Sequence, residues 1–339
     1  MTTDSSNTAD YAASPLENED DLMDDDDSMF GGRMSNYTVS LSSSVVDYPE
    51  EYGRRYHAFR SGSYVLPNDK IEIDRLDMAH AMMVKAIGNR LFLAPLDRRN
   101  VKRILDTGTG TGIWAIEMGD IFENAEVVGV DLSNIQPTWV PPNVKFKVDD
   151  VESPWVEDRK FDFIFCRFMA ASIADWPRLM ENIYDHLQPG GWAEFHEMDP
   201  EVYSDVGSYT RDHVTWSWNQ TFLEVMRISG RDPCPGPQVE VWAKQVGFKS
   251  TFHQKLKIPL GPWPKSLYYQ QLGSANLAQM LERLEGFTLR AFCGILGRSE
   301  ADVLAQVEGV RREMTEGAYN GAYDIHVVYG QKPVSKQAG

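Results

Sequence analysis

The residues best placed to do chemistry fall in one short string, Asp106-Thr107-Gly108-Thr109-Gly110-Thr111-Gly112. An apolar run ends in an acid, three glycines alternate with threonines, and a helical pattern begins at Ile113. Glycines at such a junction let backbone approach a ligand and adopt angles closed to other residues. The spacing excludes two phosphate loops. A dinucleotide fingerprint needs its third glycine at relative position 6, where Ile113 stands, and a Walker loop needs a lysine that is absent. A carboxylate at the mouth of the loop repels a pyrophosphate and suits a ligand with a positive amino group. A second acid, Asp131 in Gly129-Val130-Asp131-Leu132, ends the next apolar run 25 residues later. An acid there can accept hydrogen bonds from both hydroxyls of a ribose. A third polar site, Asp149-Asp150, offers an acceptor to an adenine amino group. A nucleoside bearing a cationic amino acid satisfies all three, and S-adenosyl-L-methionine (SAM) is such a molecule.

These positions make sense only on a particular framework. Five short strand patterns, Arg103–Asp106, Glu126–Val130, Val144–Val148, Phe161–Cys166 and Trp192–Glu197, alternate with helical stretches such as Ile113–Phe122 and Pro177–Leu187. That rhythm predicts a mostly parallel, doubly wound α/β sheet covered by helices on both faces. Pro189-Gly190-Gly191 reads as a stop before the fifth strand. A helix is expected over Ile71–Leu91, and beyond Pro200 helices are expected over Val239–Val246, Leu267–Leu284 and Glu300–Glu316, with strands over Thr251–Ile258 and Ala322–Tyr329. Trp216, Trp218 and Phe222 fall in a stretch read as irregular, as packing for a lid or lining for an acceptor pocket.

Ligands of such sheets sit beyond the carboxyl ends of the strands. The expected cofactor contacts are therefore Asp106, Gly108, Thr109, Gly110, Gly112, Asp131, Leu132, Asp149 and Asp150, with Arg167 and Phe168 after the fourth strand. Phe168 and Met169 either wall the cofactor or belong to the core. Methyl transfer from a sulfonium is an in-line displacement, so positioning dominates, and a base is needed only if the acceptor must lose a proton. No catalytic residue is assigned. His196, at the end of the fifth strand, is the one candidate base, and its alternative is an inert core histidine. Glu197 and Asp199 either position an acceptor or cap the next segment. Tyr52, Arg54, Arg55, Tyr56 and Arg60 form an aromatic and basic cluster beside the first helix. The remaining histidines are scattered, and no metal site is expected.

Composition narrows the class. The 339 residues carry a net charge of −17, of which residues 1–30 contribute ten acids and no Lys or Arg. Direct binding of nucleic acid is not expected of so acidic a chain. Three distant cysteines, Cys166, Cys234 and Cys293, argue for a reducing compartment. No apolar run is long enough to span a membrane, and the N-terminus lacks signal-peptide character. The chain is divided into an acidic disordered tail (1–48), an N-terminal helical cap (49–100), a SAM-binding core (101–200) and the rest of the fold with a helical substrate or partner region (201–333).

DTGTGTG followed by GVDLS resembles the class I SAM-dependent methyltransferases, which implies a seven-stranded sheet with helical lid insertions. The strings GRRYHAFRSGSYVLPND (53–69), DRLDMAH (74–80), GTGIWAIEMGD (110–120), DDVESPW (149–155) and GPWP (261–264) resemble the fungal LaeA-like branch. That resemblance implies regulation of secondary metabolism and development through velvet-type partner proteins, in the cytoplasm with entry to the nucleus. Two alternatives remain open at this point. One is a pathway methyltransferase acting on a hydroxyl or carboxyl of a small metabolite; the other is a SAM-binding scaffold without turnover.

Overall fold

The computed structural model describes residues 48–57, 66–156 and 158–334. The acidic segment up to residue 47, and Arg60, lie outside the described residues. The first described elements are a small antiparallel hairpin, β1 (Glu50–Glu51) and β2 (Arg54–Arg55), and helix α1 (Lys70–Ala86). Asp69 caps α1 by accepting the Glu72 N–H, and the same carboxylate takes two hydrogen bonds from Arg54 at 2.5 and 2.9 Å. The charges of the 52–56 cluster are thus engaged in tying the hairpin to the helix start: Arg55 bonds to Asn68, and Arg290 lies over the buried Tyr56 ring.

There follow β3 (Arg103–Thr107), α2 (Ile113–Ile121), β4 (Glu126–Asp131), β5 (Val144–Val148), β6 (Phe161–Arg167), α3 (Trp176–His186) and β7 (Leu187–Tyr203). The second half contains α4 (Val214–Ile228), α5 (Gly236–Val246), β8 (Lys249–Pro259), α6 (Leu267–Leu289), a π-helical turn (Arg290–Ile295), α7 (Glu300–Glu316) and β9 (Ala322–Gln331). Seven strands form one sheet in the order β5-β4-β3-β6-β7-β9-β8. Pairing is parallel from β5 through β7, and β9 runs antiparallel to both β7 and β8. The chain moves outward from β3 to β5, then returns to the other side of β3 as β6. This reversal of strand order leaves a crevice beyond the carboxyl ends of β3 and β6, where such sheets bind ligands.

Each face of the sheet is covered for a visible reason. On one, α2 lays Trp114 flat on Phe165, with ring centroids 3.9 Å apart, beside Ala115 and Met118. On the other, α3 turns Trp176, Leu179, Met180 and Ile183 inward, and Trp176 stacks on Trp242 of α5. A third apolar cluster joins α1, α4, α6 and α7 to β8 and β9. The structure departs from the expected boundaries: the first helix ends at Ala86 rather than Leu91, β7 runs on to Tyr203 and α6 to Leu289. The strand β7 begins before Pro189-Gly190-Gly191 because Lys332 pairs across this stretch, Gly190 N–H to Lys332 O and Lys332 N–H to Gly191 O, both at 2.8 Å. The stretch read as irregular contains helix α4, which buries Trp218, Phe222, Val225 and Met226.

Candidate functional site

The loop between β3 and α2 is pinned to the neighbouring strand. Thr109 donates its backbone N–H to Val130 O at 2.9 Å, and Gly112 takes φ +80 at the start of α2. A Cβ on Gly112 would fall 2.3 Å from Phe146 Cζ, so α2 can start this close to β5 only without a side chain there. Gly110, at φ +57, faces the crevice instead; a Cβ there would meet nothing nearer than Leu76 Cδ1 at 3.6 Å.

Asp131 holds this loop as well as facing the crevice. Its Oδ2 accepts the Gly110 N–H and its Oδ1 the Ser133 N–H, each at 2.9 Å, while Gln136 donates to the carbonyls of Gly110 and Ser133. Burial pushes the Asp131 carboxyl up, and these amides oppose the shift. Beyond β5, Asp149 donates its N–H to Asp131 O at 3.0 Å, and its own carboxylate accepts the Asp150 N–H at 2.8 Å.

The crevice is lined by Gly108, Thr109, Gly110, Asp131, Leu132, Asp149, Asp150, Arg167 and Phe168, nine of the eleven residues expected to meet the cofactor. Asp106 and Gly112 stand outside the lining. Asp106 is 3% exposed and lies behind the loop, where Thr109 Oγ1 donates to it at 2.5 Å. Burial pushes its carboxyl up to about 7, with the Thr109 hydroxyl and the Arg167 charge pulling the other way. The folded chain therefore holds a proton on Asp106 that the unfolded chain releases near pH 4, and stability is lost as pH rises from there through about 7. Asp106→Asn keeps the Thr109 contact and removes this titration. The melting temperature of the variant relative to the parent should climb between pH 4 and 7 and then level off. A difference flat across that range would contradict the assignment.

Of the two readings of His196, base or core histidine, its surroundings are those of a core residue. It is fully buried, its Nε2 lies 2.7 Å from Glu194 Oε1, and its ring edge packs on Phe165. Glu194 is in turn saturated by the Leu93 and Ala94 backbone amides. Burial pushes the imidazole pKa down, against the pull of Glu194, and the side chain is not among the residues that line the crevice.

Several contributors escaped the sequence reading. α1 lies along the crevice through Leu76 and His80, and Asn68, Ser172 and Glu152 also line it; Met169, read from sequence as wall or core, is in the lining as well. Arg167 donates to His80 Nδ1 at 2.9 Å; a guanidinium can only donate, so Nδ1 accepts, and the proton sits on Nε2, 3.0 Å from Glu117 Oε2. Burial and the Arg167 charge drive His80 down to about 3, so it is neutral. Arg167 itself is lowered by burial to about 10, with Asp106 and Glu117 acting in its favour. Phe168 adopts φ +58 and donates its N–H to His196 O. The next two amides, of Met169 and Ala170, donate to the two oxygens of the buried Glu197, each at 3.0 Å. Glu197 thus positions the loop after β6. The i, i+4 pair Leu76–His80 and the helical spacing 218, 222, 225, 226 were the available signals for α1 and α4.

The crevice fits SAM. Gly110 opens backbone toward it, and an ionised carboxylate has about four acceptor positions, so Asp131 keeps capacity beyond its loop contacts. Among the described residues no cluster of metal ligands occurs.

Residues 78–251 match a family model described as a methyltransferase domain. The methyltransferase pytC of Aspergillus terreus is 45% identical over 87% of this chain and 91% of its own. The secondary metabolism regulator LAE1 of Cochliobolus heterostrophus is 35% identical over 84% and 94%, and the protein-methionine methyltransferase laeA of Emericella nidulans is 33% identical over 87% and 79%. Among solved structures, a phosphoethanolamine N-methyltransferase 2 from Haemonchus contortus in complex with SAM is 16% identical over 88% of this chain and 74% of that one, at a TM-score of 0.46. The family model spans more than half of the sequence, and the relatives match along most of their lengths. The chain belongs to the SAM-dependent class I methyltransferases, in the LaeA-like family.

Proposed function

We propose that this methyltransferase binds SAM across the crevice and transfers its methyl group to a small acceptor of fungal secondary metabolism. The backbone of Gly108–Gly110 borders the methionine portion, Asp131 accepts from the ribose hydroxyls, and Asp149 or Asp150 receives the adenine amino group. Arg167, Phe168 and Leu132 complete the enclosure, and Asp106 acts from behind the loop through Thr109. SAM supplies a methyl already activated by its sulfonium. The contribution of the chain is to hold donor and acceptor in line and to keep water out. With His196 buried and His80 occupied on both nitrogens, neither histidine serves as base.

The observation that carries the acceptor reading is a second cavity. It shares Leu76, Phe168 and Ser172 with the crevice and is walled by apolar residues of α1, α4 and α6. Enclosed apolar cavities with a few polar groups suit small molecules. Calorimetry of the full chain with SAM should give saturable one-to-one binding, and loss of the gene should remove one methyl group from one family of metabolites. Absence of SAM binding would overturn the reading.

The second reading is regulatory, with velvet-type partners. It is favoured by relatives named secondary metabolism regulators at 30–35% identity. It entails cytoplasmic residence with nuclear entry. No helix among the described residues is long and apolar enough to cross a membrane. Broad metabolite changes on deletion, together with capture of velvet-type proteins by the tagged chain, would select this reading over the first.

A further inference from the structure

The crevice is electrically polarised along its length. Its acids, Asp131, Asp149, Asp150 and Glu152, stand at the end of β4 and just after β5. Arg167, the last residue of β6, is the one Arg or Lys among the described lining residues. In the order β5-β4-β3-β6 the two ends lie three inter-strand steps apart, roughly 14 Å, with the glycine loop of β3 between them. Adenine, ribose and a four-carbon chain together cover such a distance. A nucleoside that meets the acids therefore brings the far end of its chain to Arg167.

Arg167 is held in place with donors to spare. Its Nη2 donates to His80 Nδ1 at 2.9 Å, and its guanidinium carbon lies 5.5 Å from the centre of the Phe165 ring and 5.7 Å from that of Phe168. Asp106 and Glu117 act on its charge from a distance, but neither hydrogen-bonds to it: Asp106 accepts from Thr109, and Glu117 pairs with His80 Nε2 at 3.0 Å. Nε and Nη1 of Arg167 bond to no described residue and are accessible. His80 is fixed in turn, because α1 is tied to the glycine loop by Thr111 Oγ1, which donates to Asp77 at 2.8 Å. Glu117 thus orients His80, and His80 orients a guanidinium whose other edge is open. A planar fork of donors matches a carboxylate, and a fork fixed beforehand loses little freedom when the ligand arrives. We infer that Arg167 receives the α-carboxylate of the cofactor's amino-acid chain, with His80 as the residue that positions it, so that the crevice selects cofactors and products that keep this carboxylate. This rests on the proposal that the crevice holds SAM.

The test is calorimetry of the full chain with three ligands: S-adenosylhomocysteine, its decarboxylated analogue, and 5′-methylthioadenosine, which lacks the amino-acid chain. S-adenosylhomocysteine should bind at least tenfold more tightly than either of the others. Arg167→Met should lower its affinity at least tenfold and change that of 5′-methylthioadenosine less than twofold. Arg167→Lys, which keeps the charge without the fork, should recover part of the loss. His80→Leu should weaken S-adenosylhomocysteine at least threefold and leave 5′-methylthioadenosine within twofold. His80→Asn, whose Oδ1 can stand where Nδ1 stood, should keep most of the affinity. A variant that merely loosens the fold moves all three ligands together, so the difference between ligands is the readout. Equal binding of the three ligands by the parent, or equal weakening of all three in Arg167→Met, would overturn the inference. Unchanged binding in His80→Leu would overturn the positioning role. If Arg167→Met does not fold, the parent ligand series and the two His80 variants decide. A parent chain that bound 5′-methylthioadenosine as tightly as S-adenosylhomocysteine would keep the cofactor crevice and remove the carboxylate contact. One that bound none of the three would remove the cofactor reading and this inference with it.

Discussion

Asp131→Ala is expected to weaken SAM binding by about 100-fold or more, which corresponds to roughly 2.7 kcal/mol. Two losses add. The ribose loses its acceptor, and hydrogen bonds to a charged group contribute about 1.5–3 kcal/mol each. The glycine loop also loses the anchor that holds the Gly110 and Ser133 amides at 2.9 Å. Asp131→Asn should recover little, because its amide nitrogen is a donor facing one of two donors that the carboxylate satisfied. The fold should survive, since the strand and the Phe146–Gly112 packing beneath it are untouched. Calorimetry with SAM and S-adenosylhomocysteine, alongside a thermal melt, separates the two effects. An alanine variant that binds within threefold of the parent would remove Asp131 from the site.

The framework around Asp131 was readable from sequence because its signals are local. The apolar runs, the acid ending each of the first two strands, and the glycines between strand and helix are properties of neighbouring residues. The direction in which a strand-end acid points is not. Asp106 has the right type and spacing for a ligand contact, yet Thr109 folds back to bond it behind the loop. His196 shows the same limit on β7. Alternation puts Glu194 and His196 on one face, but what covers that face comes from Leu93 and Ala94, about a hundred residues earlier. The helical pattern of α1 was legible, and so was its capacity to close over the cofactor; which of its residues, Leu76 and His80, face the crevice was not, because their partners are Gly110 and Arg167 across the chain. The cavity beside the crevice needs α1, α4 and α6 together, and no local pattern reports such an assembly.

Glu197 is the residue whose loss should affect both ligands at once. Its two oxygens take the Met169 and Ala170 amides at 3.0 Å, and the segment so held carries Phe168, Met169 and Ser172 into the crevice lining and Phe168, Ala170 and Ser172 into that of the second cavity. Burial outweighs the two amide donors and pushes the Glu197 carboxyl up to about 8. Its protonated form is therefore favoured by folding, and the stability it contributes falls as pH rises from the ordinary glutamate range through about 8. Glu197→Ala removes both acceptors and leaves two amides facing a void. At about 1–3 kcal/mol for each buried unsatisfied group, the sum is roughly 2–6 kcal/mol. Against a total stability of about 5–15 kcal/mol, that leaves a folded but weakened chain in all but the least favourable case. The expected result is a clear fall in melting temperature together with at least tenfold weaker binding of SAM, although Glu197 itself touches neither cavity. Glu197→Asp should rescue little, because a side chain shorter by one methylene cannot reach both amides. Glu197→Gln keeps one oxygen acceptor and should fall between the parent and the alanine variant. If alanine lowered the melting temperature while SAM affinity stayed at the parental value, the loop after β6 would not be what the cofactor rests on. The anchoring role would then be confined to stability.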